Sequence, residues 1–231
     1  DKLIFISDVA KTGEFLQLTE FTNFGDYDAT SWTKTGVNFG TAHPFRRIFL
    51  TVNWNHDSAS ALMLTSATIG GIAATIHASE GHSGGDTGLG SAIISAAVPT
   101  GTSGTIVLTG DVNAFAFGVS IGVHRVVNLI SSVAHDIMEV NGVNDTSDVG
   151  GTCDIPTAGM LFIAGTGSTN TTGNDIDFTG GTEKYDQDLT LLGRAGGCFD
   201  SGMTLETNRS VRMDMGTIAS SGVCIVAASF I

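Results

Sequence analysis

Charge is scarce in this chain, and positive charge is scarcest. Charged residues make up 14% of the 231 positions, against the ~25% usual in soluble domains. Ten Lys and Arg stand against 23 Asp and Glu, a formal net charge of −13. Phosphate backbones and anionic membranes are gripped by clustered Lys and Arg, and the longest basic run is Arg46-Arg47. Neither nucleic acid nor a membrane surface is therefore expected as a partner.

Cysteine stops at Cys153, Cys198 and Cys224. An odd count without CxxC spacing argues against a complete disulfide framework and a zinc knuckle. One bridge stays open; buried thiols in a protein assembled in a reducing compartment are the preferred reading. No apolar run reaches the roughly 18 residues of a membrane-spanning helix. The opening Asp1-Lys2-Leu3-Ile4-Phe5-Ile6 has no initiator Met and no positively charged leader, so no signal peptide is expected. Proline occurs 3 times, and no repeat of fixed period is visible. Helical periodicity is equally thin. Val133, Ile137 and Val140 suit a helix over 131–140, and suit a loop followed by a strand just as well.

What is present is glycine, 31 residues of it, amid Thr, Ser and Asn. Hydrophobic residues reach 42%, enough for a real core; a domain of this length buries roughly 70% of its unfolded surface. Short alternating runs recur at Leu3–Ile6, Arg46–Trp54, Thr68–Ile76, Ala92–Val98, Thr105–Thr109, Ala114–Leu129, Gly159–Ala164, Val211–Met215 and Val223–Ile231. In the second run Ile48, Leu50, Val52 and Trp54 share one face, and in the sixth Phe115, Phe117, Val119, Ile121 and Val123 do. Gly70-Gly71 marks a turn or bulge, and Pro99–Gly104 has turn chemistry. Regular short strands with Gly-rich turns predict an all-β fold with little helix, an antiparallel β-sandwich of jelly-roll type. We expect one sandwich domain over 1–231, with 141–151 a long loop inside it and 1–40 a candidate N-terminal arm or docking segment.

Few residues carry recognisable chemistry. Gly81-His82-Ser83-Gly84-Gly85 matches G-x-S-x-G, in which a strand delivers Ser to a sharp turn before a helix. Asp86-Thr87-Gly88-Leu89-Gly90-Ser91 is poor helix material, and His43, His56, His77, His124 and His135 carry no signature, so a Gly/Ser loop is preferred to a nucleophile. Asn174-Asp175-Ile176-Asp177 and Asn144-Asp145 with Asp148 offer oxygen ligands for Ca²⁺ but lack the EF-hand pattern; solvated Asx turns are preferred. His56-Asp57 and His135-Asp136 point to opposite faces of a strand and form no dyad. No HExxH, P-loop or GxGxxG occurs. The six Glu (Glu14, Glu20, Glu80, Glu139, Glu183, Glu206) show no pair facing across a cleft as glycoside hydrolysis requires. No enzyme, catalytic residue, cofactor or metal is expected.

Trp32, Trp54, Tyr27 and Tyr185 alone combine a ring with a polar handle, as sugar platforms do. Phe21, Phe24, Tyr27 and Trp32 form one cluster, open to three readings: sugar platform, subunit contact or core. Contact or core is favoured. The sequons at Asn144, Asn170 and Asn208 fit chance in a Thr-rich chain.

Arg47-Ile-Phe-Leu-Thr-Val52, Thr68-Ile-Gly-Gly-Ile-Ala-Ala-Thr75, the run Ile94–Thr109 and Val226-Ala-Ala-Ser-Phe230 carry a resemblance. They resemble the β-sandwich structural proteins of tailed bacteriophages and phage-like particles. That resemblance implies a virion component assembled in a bacterial cytoplasm: a head fibre or spike, decoration or tail-associated protein. It implies homo-oligomerisation, with a trimer as one candidate, contact with other virion proteins and, as a further partner, a host surface glycan. The alternatives are a lectin-like carbohydrate-binding module and, further off, a serine hydrolase using Ser83.

Overall fold

The computed structural model describes residues 11–22, 30–56, 60–84, 87–111, 114–115, 118–142, 148–169, 176–189, 193–216 and 220–231. The Leu3–Ile6 run lies outside them. The chain's alternating apolar runs become strands because side chains on a pleated backbone face opposite sides in turn. The first half supplies β1 (Thr12–Thr22), β2 (Ser31–Asn38), β3 (Arg46–His56), β4 (Leu64–Ile69), β5 (Ile72–Ala73), β6 (Thr75–Gly84), β7 (Thr87–Ala97), β8 (Ser103–Gly110) and β9 (Gly118–Val127). The second supplies β10 (Asp136–Gly142), β11 (Asp148–Ile155), β12 (Gly159–Thr169), β13 (Asp177–Thr179), β14 (Glu183–Leu189), β15 (Gly193–Met203), β16 (Glu206–Asp214) and β17 (Ser220–Phe230). Every pairing is antiparallel, and the described residues contain no helix. The ambiguous 131–140 stretch is a loop leading into β10.

The expected all-β class holds, with four sheets: β1-β9-β3-β7-β6, β2-β8-β4-β5, β10-β17-β12-β15-β14 and β11-β16-β13. The first two enclose one core, which includes Ile48, Leu50, Val52, Trp54, Val119, Ile121 and Val123; the predicted faces of β3 and β9 are thus correct, Phe117 lying outside the described residues. The last two sheets enclose a second core, which includes Leu161, Ile163, Val211, Met213, Val223 and Ile225. A third apolar cluster joins the two five-stranded sheets face to face: Phe49, Ala78, Ile93, Val126, Met160, Phe162, Ala164, Phe199, Val226, Ala228 and Phe230. Where the sequence reading expects one sandwich, the chain stacks two.

Leaving aside the two-residue β5, the halves have one strand order. Numbered within its own half, each five-stranded sheet reads 1-8-3-6-5 and each smaller sheet 2-7-4, a jelly-roll-like order. The repeat escapes a sequence search because it lies in connectivity rather than in side chains. The boundary between halves is the connection Asn128–His135, ahead of the 141–151 stretch, whose ends belong to β10 and β11.

Turns follow local chemistry. Gly70 and Gly71 take φ of 61° and 78° between β4 and β5, the left-handed pair that a two-residue hairpin requires and that glycine adopts without strain. Gly90 serves close approach: a Cβ there would lie 2.0 Å from the Trp54 ring.

Candidate assembly surfaces

β3 and β12 run the same way across the middle of the stack. Phe49 lies over Phe162 with ring centroids 4.5 Å apart and planes 10° from parallel, and four residues further along each strand Thr166 Oγ1 lies 2.9 Å from Asn53 Oδ1. The strand starts Arg46 and Gly159 therefore share one end of the molecule. That end collects most of the exposed large apolar side chains. Phe45 is 70% exposed, Ile130 71%, Val133 74% and Leu205 66%, with Ile72 and Ile137 partly exposed near the same end. Two open clefts lie there. One, of about 290 Å³, is lined by Pro44, Phe45, Arg47, Ala97, Leu129 and Ile130 among others. The other, of about 480 Å³, includes Phe39, Gly70, Ile72, Val98 and Thr105 in its lining. Neither is lined by an acidic residue, in a chain with more than two acids per base. Apolar surface gathered in this way marks a contact site more often than singly scattered side chains do.

Between the two clefts the chain is pinned by Arg46, which is 1% exposed. Its Nε donates to Val98 O at 2.6 Å, Nη1 to Phe39 O and Gly40 O at 3.1 and 2.9 Å, and Nη2 to Thr100 O and Gly101 O, both at 2.7 Å. Five guanidinium bonds meet five carbonyls, matching the donor inventory of the side chain. Burial first, then the nearby Arg125, lower its pKa. The sequence shows this residue only as half of Arg46-Arg47. Strand alternation separates the pair: Arg47 Nη1 reaches Ser95 Oγ at 2.8 Å instead. A buried Arg fed by loop carbonyls has no sequence signature, since its partners lie as far as 55 positions away.

The residues singled out by sequence scatter. Ser83 is an exposed strand residue opposite Gly88 in the β6–β7 hairpin. The helix that a nucleophile elbow needs does not follow it; β7 does. His82 is buried beside Gly222 of β17. Trp32 and Trp54 are core residues of the first sandwich, with Trp54 Nε1 donating to Leu62 O at 3.2 Å. Tyr185 is buried between the sandwiches. Its hydroxyl lies 3.0 Å from Thr51 Oγ1 and accepts from Asn53 Nδ2 at 3.1 Å; burial pushes its pKa up. Three of the four candidate sugar-platform rings are thus interior. The fourth, Tyr27, lies outside the described residues, as do Phe24 and the side chain of Phe21.

Asp148 pairs with Arg212, and Asp177 is an exposed residue opposite Asp214. Asn144, Asp145, Asn174 and Asp175 lie outside the described residues, among which no cluster of three metal-capable side chains occurs. The three cysteines are free and buried; burial, the largest cause, raises Cys153 to about 11 and Cys224 to about 12, and pushes Cys198 up as well. Asp57 also lies outside the described residues, while His135 donates its backbone N–H to Ser229 O at 2.7 Å and Asp136 Oδ2 accepts from Asp154 N at 2.7 Å. Comparison with known proteins yields no matching family model, no matching curated protein and no matching solved structure.

Proposed function

We propose that the protein is a bacteriophage virion structural component, a head fibre, decoration or tail-associated protein, that acts through homo-oligomeric assembly. The observation that carries the reading is the apolar end. Phe45, Ile130 and the two clefts beside them carry no acid, so copies meeting there bury apolar surface without desolvating carboxylates. Three of the sheet edges discourage assembly. β5 has two residues and β13 three, and β14 reads Glu-Lys-Tyr-Asp-Gln-Asp-Leu; short and charged edge strands resist sheet-to-sheet addition. The occupant of the apolar end is the same end of further copies of this chain. The net charge of −13 keeps free subunits soluble and away from packaged nucleic acid. The resemblance of the Arg46–Leu129 segment to phage sandwich proteins supplies the virion setting.

Sedimentation velocity at micromolar concentration tests the assembly. The expected result is a discrete oligomer, weakened at least about tenfold by Phe45→Ser combined with Ile130→Ser, since each contact residue contributes about 1 kcal/mol or more. Both side chains are exposed, so the fold of each subunit stays intact. A lone monomer in the wild type overturns the reading.

A further inference from the structure

We infer that the face between the two sandwiches is a dimer-type protein interface enclosed within one chain, in which each half is the partner that the other half's five-stranded sheet fits. The inference is independent of the virion reading. It starts from the shared order, 1-8-3-6-5 facing 1-8-3-6-5. In a two-fold contact the residues nearest the axis meet their own equivalents, and every other contact occurs twice. Both hold here. Phe49 is the fourth residue of β3 and Phe162 the fourth of β12, and they stack. Asn53 and Thr166 are the eighth residues of the same strands, and they touch. Away from the centre β6 packs on β17 while β14 packs on β9, and β7 packs on β12 while β15 packs on β3, each pair exchanging equivalents.

The chemistry is that of a specific interface. The apolar part holds an aromatic group in which Phe49 lies 4.8 Å from Phe230 and Phe162 lies 4.9 Å from Phe199. The polar part is enclosed. Ser91 Oγ donates to Asn53 Oδ1 at 2.8 Å and lies 2.9 Å from Thr166 Oγ1, and Asn53 Nδ2 donates to Gly196 O at 3.2 Å. At one margin Gln187 Nε2 donates to Ser120 Oγ at 2.9 Å; at another Glu139 Oε1 accepts from Ser79 N at 2.8 Å and Asn141 Nδ2 donates to Glu80 Oε1 at 2.9 Å. Buried polar groups met in this way fix one register, because sliding either sheet would strand them. The covalent tie is a single connection, Asn128–His135, in which Ile130, Ser132 and Val133 are exposed.

The test is to place a protease site between Ser132 and Val133 of the full chain, confirm that the uncut protein unfolds in urea as the wild type does, and then cut it. Native mass spectrometry is expected to show both fragments held together one to one at micromolar concentration, separating only in denaturant. Fragments that part or precipitate under native conditions overturn the inference. A second reading needs no inserted site. Phe162→Asp in the uncut chain is expected to enlarge the hydrodynamic radius, as tethered sandwiches lose their shared face. An unchanged radius with unchanged thermal stability overturns the inference.

Discussion

The core of the first sandwich is filled by Trp32, Phe39, Trp54 and Phe115 among aliphatic side chains; the second uses Met138, Met213, Met215, Cys153 and Cys198. At the shared end the third strand of the first sandwich opens on Arg46, with its five carbonyls, and that of the second opens on Gly159, whose N–H simply donates to Pro156 O at 2.8 Å. Histidine differs too. His56, His77, His82 and His124 sit in strands of the first sandwich, and no strand of the second contains one. The same strand order therefore tolerates bulky rings with a pinned end, or soft sulfur side chains with a plain turn. Connectivity and burial pattern fix the architecture, and packing chemistry is free to diverge.

Acid is expected to break the comparison most strongly. Burial, the leading cause, holds His56 at about 4, His77 at about 4 with help from Arg47, and His124 at about 3 with help from Lys184. All three lie below the ordinary 6.5, so the unfolded chain takes protons that the folded one refuses. Their contribution is fully present above pH 6.5 and is lost as pH falls toward 4. The slope for each fully buried ring, His56 and His124, approaches about 1.4 kcal/mol per pH unit. Hydrogen exchange between pH 7 and 4 should show first-sandwich amides losing protection before those of β11, β13 and β16. Equal loss in both would remove the distinction.

Arg46→Met comes next. It strands carbonyls in two loops of one sandwich and should cost roughly 3–5 kcal/mol in urea unfolding; a loss under about 1 kcal/mol would show the guanidinium to be incidental. Thr166→Val keeps the shape between the sandwiches but removes the hydroxyl that meets Asn53, Ser91 and Gly90. We expect about 1–3 kcal/mol there, read by the same titration. The thiols should show the smallest effect. With pKa values raised by burial, Cys153, Cys198 and Cys224 should leave a thiol reagent unconsumed at pH 8 until the protein unfolds, and early reaction of Cys224 would mean that the sandwich interface opens readily.

The strands themselves were legible in the sequence. Ile48, Leu50, Val52 and Trp54 fall where alternation puts them, and Gly70-Gly71 turns where it should. The stacking was not legible, because Thr51, Asn53 and Asn55 alternate with those apolar residues as a solvent-facing row would. In the structure that row is buried as well, closed over by the second sandwich through side-chain hydrogen bonds that join residues up to 143 positions apart. Strands buried on both faces by polar contacts read as strands of a simple two-layer sandwich. The same concealment affects Trp32, Trp54 and Tyr185, rings that suggest a surface platform but lie inside, where the handles of Trp54 and Tyr185 find partners. The apolar end was hidden for another reason. Phe45, Ile130 and Leu205 are isolated in sequence and come to one end of the stack only through the connections that meet there.

A distance measurement tests most directly whether the two sandwiches stack with β3 and β12 running the same way. Spin labels at exposed Thr41 and Thr204 mark the shared end, and a label at exposed Asp177 marks the far end of the second sandwich. An eleven-residue strand spans about 36 Å. Parallel stacking predicts a Thr41–Thr204 separation clearly shorter than Thr41–Asp177, and the reverse order would contradict the face-to-face arrangement described for this chain.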